Sequence, residues 1–240
     1  VPIPSAASGQ PIQVLPGRDT QQLLALKGRL QVVGQRRFPV LWALLGGWLI
    51  LTLVAMLAAD RQGMRWAMRC GALAIFWLPS VLLLTAALAP SMVVEMLLVV
   101  FGSLLLGIAS DYVVPWPRAP ALPAFVAVGA YIVDLAFGSP LIIRSLLGPN
   151  PLFGSRFYGI GNELESTLPA LLLIGLGALL FGRGRSRGAA ALFAGFGLVL
   201  GVALGAAQLG ADVGGVMTVA AGFGVAVLLM LPGRLSGRTI

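Results

Sequence analysis

The stretch from residue 154 to residue 165 holds the densest group of chemically active side chains in the chain. It reads Gly-Ser-Arg-Phe-Tyr-Gly-Ile-Gly-Asn-Glu-Leu-Glu. Glycines allow backbone N–H groups to approach an anion, and the N-terminus of a following helix attracts one. Guanidinium groups match the oxygen geometry of phosphate. The pattern predicts a binding site for a phosphate or sugar-phosphate headgroup, formed by Arg144, Arg156, Tyr158, Gly159, Gly161, Asn162, Glu163 and Glu165.

A second interpretation of this loop stays open, in which Arg156 pairs with Glu163 or Glu165 and the glycines only permit a tight turn. Asn162 is a natural N-cap for the next helix, which puts both glutamates in its first turn. Because the glutamates are two residues apart, they diverge by about 200° on a helix and are not a ready-made carboxylate pair. Oxygen ligands of this kind suit Mg²⁺ or Ca²⁺. The spacing does not require a metal, and we assign none to this chain.

Three further acids, Glu95, Asp134 and Asp212, fall within about one turn of the ends of apolar runs. Charged groups inside a membrane are energetically expensive and indicate function by default. With Glu163 and Glu165, they are expected near one membrane face, where they would orient hydroxyl groups or a cation of the same substrate. The alternative is that helix ends are simply where charges are tolerated.

The composition sets the class of protein that must position these residues. Of 240 residues, 58% are hydrophobic and 10% are charged, whereas soluble proteins carry roughly 25% charged residues. The absence of histidine removes imidazole as a base or metal ligand. A single cysteine excludes an intrachain disulfide and a cysteine-built zinc site. We therefore expect an all-α, polytopic transmembrane helical bundle.

About seven apolar runs are long enough to cross a bilayer, which takes about 20 residues of helix. We place them near residues 39–59, 66–88, 91–110, 120–137, 164–181, 189–208 and 212–232. Between the fourth and fifth runs, Ser139 as N-cap, Pro140 in the first turn and Gly148 as a stop predict one helix of about eight residues. It is too short to span and suits an interfacial or re-entrant element.

The first 38 residues differ from the rest and are expected to form an extracytoplasmic tail or linker, with residues 39–240 as the transmembrane domain. Asp19 and Gln22 fit a capping box. Leucines at roughly helical spacing from Leu23 to Val33, interleaved with basic residues, predict a short amphipathic helix on the membrane surface. A linker helix packed on a further soluble domain explains the same pattern equally well.

The basic residues indicate the orientation. The chain contains one lysine and fifteen arginines, compared with eight acidic residues. In a seven-span topology, nine of the basic residues fall in loops on one side of the membrane. Cytoplasmic loops carry such an excess. We therefore expect a multi-pass membrane protein with its N-terminus outside and its C-terminus inside. The high net charge is then a topology signal, and we expect no nucleic-acid partner.

Gly197, Gly201 and Gly205 repeat every four residues and so line one helix face. Such faces let helix backbones approach closely in lipid. The favoured interpretation is tight packing within the chain, and the alternative is a homodimer interface.

Two segments resemble known families. Val1 to Ile12, with Pro-Ile-Pro followed by Gly-Gln-Pro-Ile, resembles the end of the catalytic domain in the alkaline phosphatase superfamily. This resemblance implies an upstream extracytoplasmic phosphohydrolase, phosphotransferase or sulfatase-like domain with a divalent metal; no cofactor is implied in the present chain. Gly154 to Glu163, Gly-Ser-Arg-Phe-Tyr-Gly-Ile-Gly-Asn-Glu, is similar to a motif in uncharacterised multi-pass membrane proteins of bacteria. This resemblance implies a location in the bacterial cytoplasmic (inner) membrane.

Three functions compete at this point. The chain binds a phosphate-bearing or lipid-linked substrate at the outer leaflet for an attached enzyme domain whose catalytic centre lies outside the chain. Alternatively, it is a transporter or lipid flippase that uses the acids as an ion relay. The third hypothesis is a structural membrane anchor with only lipids as partners. Because the acids are biased to one face, the first hypothesis is favoured.

Overall fold

The computed structural model describes residues 20–58, 60–155 and 158–232 and contains no strand within them. The helices are α1 (Thr20–Ala58), α2 (Arg61–Leu88), α3 (Met92–Val113), α4 (Ala121–Ala136), α5 (Asn162–Leu179), α6 (Arg187–Gly205) and α7 (Val213–Met230). Helix α3 includes a π-helical turn, Leu98–Gly102. Short 3₁₀ turns, Ile142–Arg144 and Pro151–Phe153, lie between α4 and α5.

Each predicted span coincides with one helix, and the all-helical prediction is confirmed. Five helices, α1, α2, α3, α6 and α7, are long and apolar enough to cross a membrane by length and composition. This supports a multi-pass membrane protein. Helix α4 has 16 residues, and α5 carries three polar residues in its first turn, so the count of seven spans stays a prediction.

Helix α1 differs from expectation. The sequence predicts a short surface helix followed by a separate first span, but the two are one continuous helix of 39 residues that includes Pro39. The described part of the chain therefore contains no separate surface helix, because the N-terminal half of α1 packs on the bundle. Leu30 and Val33 are buried there, and the Asn150 amide donates to the Leu30 carbonyl at 3.0 Å. The domain boundary at residue 38 stays a prediction.

The eight-residue helix expected after Ser139 is wrong; only the 3₁₀ turn Ile142–Arg144 forms. Ser139 has φ +64° and does not act as an N-cap. Instead, the Asp134 carboxylate accepts hydrogen bonds from the N–H groups of Leu141 and Ile142, the latter at 2.8 Å. This buried acid ties the segment after α4 to the end of that helix, and the chain folds back across the end of the bundle.

Helix starts are set by local capping. The Asp60, Ser186 and Asp212 side chains accept backbone N–H bonds at 2.8–3.1 Å, which confirms Asp212 at the start of the seventh apolar helix. The prediction that Asn162 caps the fifth helix is wrong. Gly161 is the N-cap and Asn162 is the first helical residue. A Cβ at residue 161 would lie 3.2 Å from Glu163 Oε2, which leaves little room for a side chain at the cap.

Small residues set the closest helix approaches. A Cβ at Gly107 of α3 would lie 2.6 Å from the Cys70 carbonyl oxygen of α2, and one at Gly197 of α6 would lie 2.8 Å from the Phe223 ring of α7. Gly201 and Gly205 also face α7. The glycine face is therefore used for packing within the chain, as the favoured interpretation expected. A homodimer through these glycines stays a prediction.

The charged groups of the described residues gather at the two ends of the bundle. We call the polar end the region formed by residues 27–37 of α1, the α2–α3 turn, the α4–α5 segment and the α6–α7 turn. The opposite, basic end carries Arg61, Arg65, Arg69, Arg118, Arg183, Arg185 and Arg187. All five acids singled out in the sequence lie at the polar end.

Candidate functional site

A buried carboxylate at the polar end joins three elements. Glu95, in the first turn of α3, has no exposed surface and binds two guanidinium groups of α1, Arg29 and Arg36, each at 2.9 Å. Arg36 also donates to the Pro90 carbonyl at 2.8 Å, and Arg29 to the Arg144 carbonyl at 3.2 Å. We call Glu95 with its two arginines the buried clamp. Because both oxygens of Glu95 are engaged, this acid holds α1 against the bundle.

A polar cavity of about 360 Å³ lies beside this clamp. Its wall combines the middle of α1, both sides of the α4–α5 segment and the first turn of α5. The lining residues are Arg37, Gly148, Pro149, Asn150, Gly154, Ser155, Ile160, Gly161, Asn162 and Glu163. Guanidinium, amide, hydroxyl and carboxylate groups therefore face one space, which offers both donors and acceptors to a ligand.

Arg37 is the central basic group of this cavity. One of its terminal nitrogens donates to Glu163 Oε1 and the other to the Gly148 carbonyl, both at 2.6 Å. Its Nε is buried and has no hydrogen-bond partner among the described residues. The Arg37 side chain is 20% exposed and that of Glu163 is 44% exposed. The pair thus lies at the rim, and the buried Nε–H donor of Arg37 is left unused.

Asn150 shapes the cavity from the α4–α5 segment. Its amide nitrogen donates to the Leu30 carbonyl of α1 at 3.0 Å, and its oxygen accepts from the Leu152 N–H at 3.0 Å. The residue is buried. It therefore fixes the distance between the loop and α1, and with it the width of the cavity.

The structure divides the residues predicted for the headgroup site. Gly161, Asn162 and Glu163 line the cavity. Tyr158 and Arg144 are exposed and do not line it. Arg156 lies outside the described residues, so its pairing with a glutamate stays open.

Gly159 has a role other than the predicted one. Its φ is +80°, and a Cβ there would collide with the Gly210 carbonyl oxygen. Its N–H donates to the Ser139 hydroxyl at 3.2 Å, and the next N–H, of Ile160, bonds to the Gly210 carbonyl at 3.3 Å. This N–H is therefore engaged within the chain, and the assignment of Gly159 to the headgroup site stays a prediction. The glycine lets the loop dock closely on the α6–α7 turn.

The other predicted acids lie away from the cavity. Asp134 is buried and organises the turn after α4 through the bonds given above. Glu165 lies beside Asp212, and a Cβ at Gly214 would lie 2.6 Å from Glu165 Oε2 and 3.3 Å from Asp212 Oδ1. Glu163 and Glu165 thus face different sides of α5, as their spacing predicts. Within the described ranges, no three His, Cys, Asp or Glu side chains form a group that could hold a metal ion.

Sequence reasoning missed the three arginines of α1. It placed Arg29 among the basic residues of a surface helix and counted Arg36 and Arg37 with the N-terminal tail, where they weaken the orientation argument, and it gave none of the three a partner. A usable signal was present, because Arg29 and Arg36 are seven residues apart and therefore share one helix face. Their partners are not deducible in this way, since Glu95 lies 66 positions from Arg29 and Glu163 lies 126 positions from Arg37.

Comparisons with protein-family models, curated proteins and solved structures found no match. The geometry of the polar end therefore carries the functional argument.

Proposed function

We propose that this chain is a membrane domain that binds the polar headgroup of a phosphate-bearing or lipid-linked substrate in the cavity at its polar end. The observation that carries the proposal is the position of this cavity. It opens at the end of an apolar helical bundle, where a headgroup would meet the protein while its hydrocarbon part stays in lipid. Its volume of about 360 Å³ falls within the roughly 300–1,000 Å³ typical of small-molecule sites.

The chemistry of the wall suits such a headgroup. Arg37 supplies a guanidinium group, which matches phosphate oxygens, while Asn162 and Ser155 offer partners for hydroxyl groups. The buried clamp and Asn150 hold the two sides of the wall together, so the site is preorganised. Preorganisation lowers the entropic cost of binding.

The distribution of charge favours binding over ion relay. In the described part of the chain, every acid lies within about one turn of a helix end. A relay through the bilayer needs polar groups distributed through its depth. Among the described residues, the buried polar groups in the middle of the bundle are uncharged, such as the Ser103 hydroxyl and the Trp77 indole N–H, which donates to Ser110. Transport is therefore the weaker proposal.

The proposal includes an attached extracytoplasmic phosphohydrolase-like or phosphotransferase-like domain, supported by the resemblance of residues 1–12. Helix α1 passes the cavity at Arg37 and reaches Thr20, about 25 Å farther along its axis at 1.5 Å per residue. A domain preceding Thr20 would thus lie on the cavity side. We place this side outside the inner membrane, because among the described residues the opposite end carries seven arginines, against four arginines and one lysine at the polar end. The reading frame upstream of Val1 tests the attached domain directly.

A cavity-filling substitution tests the binding function. Ser155 is exposed and lines the cavity, so Ser155→Trp would fill the space without touching the buried clamp. Ser166→Trp is the matched control, since Ser166 is exposed on α5 and lies outside the lining. The purified full chain would be titrated with phosphatidic acid against phosphatidylcholine, and bound lipid would be counted by native mass spectrometry.

We expect the wild-type chain and Ser166→Trp to select phosphatidic acid. Ser155→Trp should lose that selectivity by about tenfold, the effect of removing one charge-assisted hydrogen bond of ~1.5 kcal/mol. Equal selectivity in the two tryptophan variants would show that the cavity does not bind the headgroup.

A further inference from the structure

The pairing of Arg37 suggests how the cavity is occupied before substrate arrives. A carboxylate and a phosphate present the same kind of paired oxygens to a guanidinium group. In the structure, Glu163 Oε1 lies 2.6 Å from a terminal nitrogen of Arg37, at the edge of the cavity. An intramolecular carboxylate therefore stands where a ligand anion would bind.

The two partners of this pair are held very differently. Arg37 is tied down on its other side by the Gly148 carbonyl and is mostly buried. Glu163 is 44% exposed, so its carboxylate can turn toward water with little loss of hydration. Exposed ion pairs contribute only about 0–1 kcal/mol. The arginine is thus fixed in place, and the glutamate is exchangeable.

Arg37 also keeps donors that Glu163 does not use. Arg37 Nε is buried without a hydrogen-bond partner among the described residues, and buried polar groups normally have one. A phosphate has more acceptor oxygens than a carboxylate. A phosphate in place of the Glu163 carboxylate would accept from both terminal nitrogens of Arg37 together, whereas Glu163 accepts from one of them alone.

We propose that Arg37 is the anion-binding residue of the cavity and that Glu163 is a built-in competitor, which a phosphate monoester displaces. This inference rests on the proposed function and deepens it, because it names the ligand class and the residue that sets the affinity. The competitor also gives selectivity. A neutral headgroup gains nothing by displacing Glu163, whereas a phosphate replaces one ion pair with a stronger one.

The proposal predicts opposite effects for the two members of one ion pair. Glu163→Gln should tighten phosphate binding by roughly fivefold, which corresponds to the ~1 kcal/mol of an exposed ion pair. Arg37→Gln should weaken it by tenfold or more. If Glu163 were instead a direct ligand for hydroxyl groups, its substitution would weaken binding as well.

Matched controls separate these effects from changes in net charge. Glu165→Gln removes the same charge from the same turn of α5, on the side that faces Asp212. Lys27→Gln removes a positive charge from an exposed position of α1. Neither residue lines the cavity, so both variants should bind like the wild-type chain.

The experiment uses the full chain in detergent with two phosphate probes. Phosphatidic acid binding is followed by native mass spectrometry against phosphatidylcholine, and glycerol 3-phosphate binding by calorimetry. If the natural ligand is a lipid headgroup, Glu163→Gln should gain fivefold in affinity for phosphatidic acid only. If it is a free phosphate ester, the affinity for both probes should rise fivefold.

The outcomes distinguish the two proposals. Tighter phosphate binding in Glu163→Gln together with weaker phosphate binding in Arg37→Gln supports the role of Glu163 as a competitor. If the wild-type chain selects phosphate and this selectivity falls or stays constant in Glu163→Gln, Glu163 is not a competitor. The proposed function is still supported in that case. If the wild-type chain and Glu163→Gln both ignore both probes, the proposed function fails as well.

Discussion

Two arginine–glutamate contacts at the polar end use the same chemistry in opposite ways. In the buried clamp, Glu95 has no exposed surface and two guanidinium partners. At the cavity rim, Glu163 is 44% exposed and has one partner. Removing one member of a buried pair leaves an uncompensated charge, whereas an exposed member is readily replaced by water. Burial therefore decides which contact is a structural anchor and which is available for ligand exchange.

The largest effect is expected from breaking the clamp at its centre. Glu95→Ala would leave Arg29 and Arg36 close together in a mostly buried site without their shared carboxylate. We expect a loss of about 3–5 kcal/mol in the free energy of unfolding. Equilibrium unfolding of the purified chain in mixed detergent–SDS micelles would measure it. A loss below 1 kcal/mol would mean that the clamp does not anchor α1.

A smaller effect should follow from removing one arm of the clamp. In Arg36→Gln, Glu95 keeps its bond to Arg29 at 2.9 Å, but loses Arg36, and the Pro90 carbonyl loses its donor. A hydrogen bond to a charged group contributes about 1.5–3 kcal/mol, and the same unfolding assay should show a loss of that size. A loss equal to that of Glu95→Ala would indicate that the two arms act only together.

The smallest effect on stability is expected at the rim. Glu163→Gln should change the free energy of unfolding by less than about 1 kcal/mol, although it should alter phosphate binding as described above. Because Glu163→Gln should change binding but not stability, it tests most directly whether the rim pair differs from the buried clamp. A large loss of stability in Glu163→Gln would place this residue with Glu95 as an anchor.

The positions of the helices were largely predictable from the sequence. Apolar runs predict helices that the described structure contains, because apolar side chains and local caps such as Asp212 act over a few residues. The errors fall where a distant group intervenes. Asp134 ties the segment after Ser139 back to the end of α4, and the two predicted segments of α1 form one helix whose N-terminal half contacts Asn150 of the α4–α5 segment.

The candidate site was predictable only in part. The motif from Gly154 led to Gly161, Asn162 and Glu163, which line the cavity. It also led to Gly159, whose N–H is bonded to Ser139. The motif could not reveal Arg37, since this residue lies in another helix and looks like a topology signal in the sequence.

The sequence by itself determined that the chain is helical and apolar and that its acids lie at helix ends, because these properties depend on composition and on neighbours within a few positions. Only the tertiary structure decided which charges meet. The pairs Arg29–Glu95 and Arg37–Glu163 join residues 66 and 126 positions apart. Their burial also depends on how α1 packs over the α4–α5 segment. An ion pair's strength depends on distance and solvent exposure, and both are properties of the folded chain.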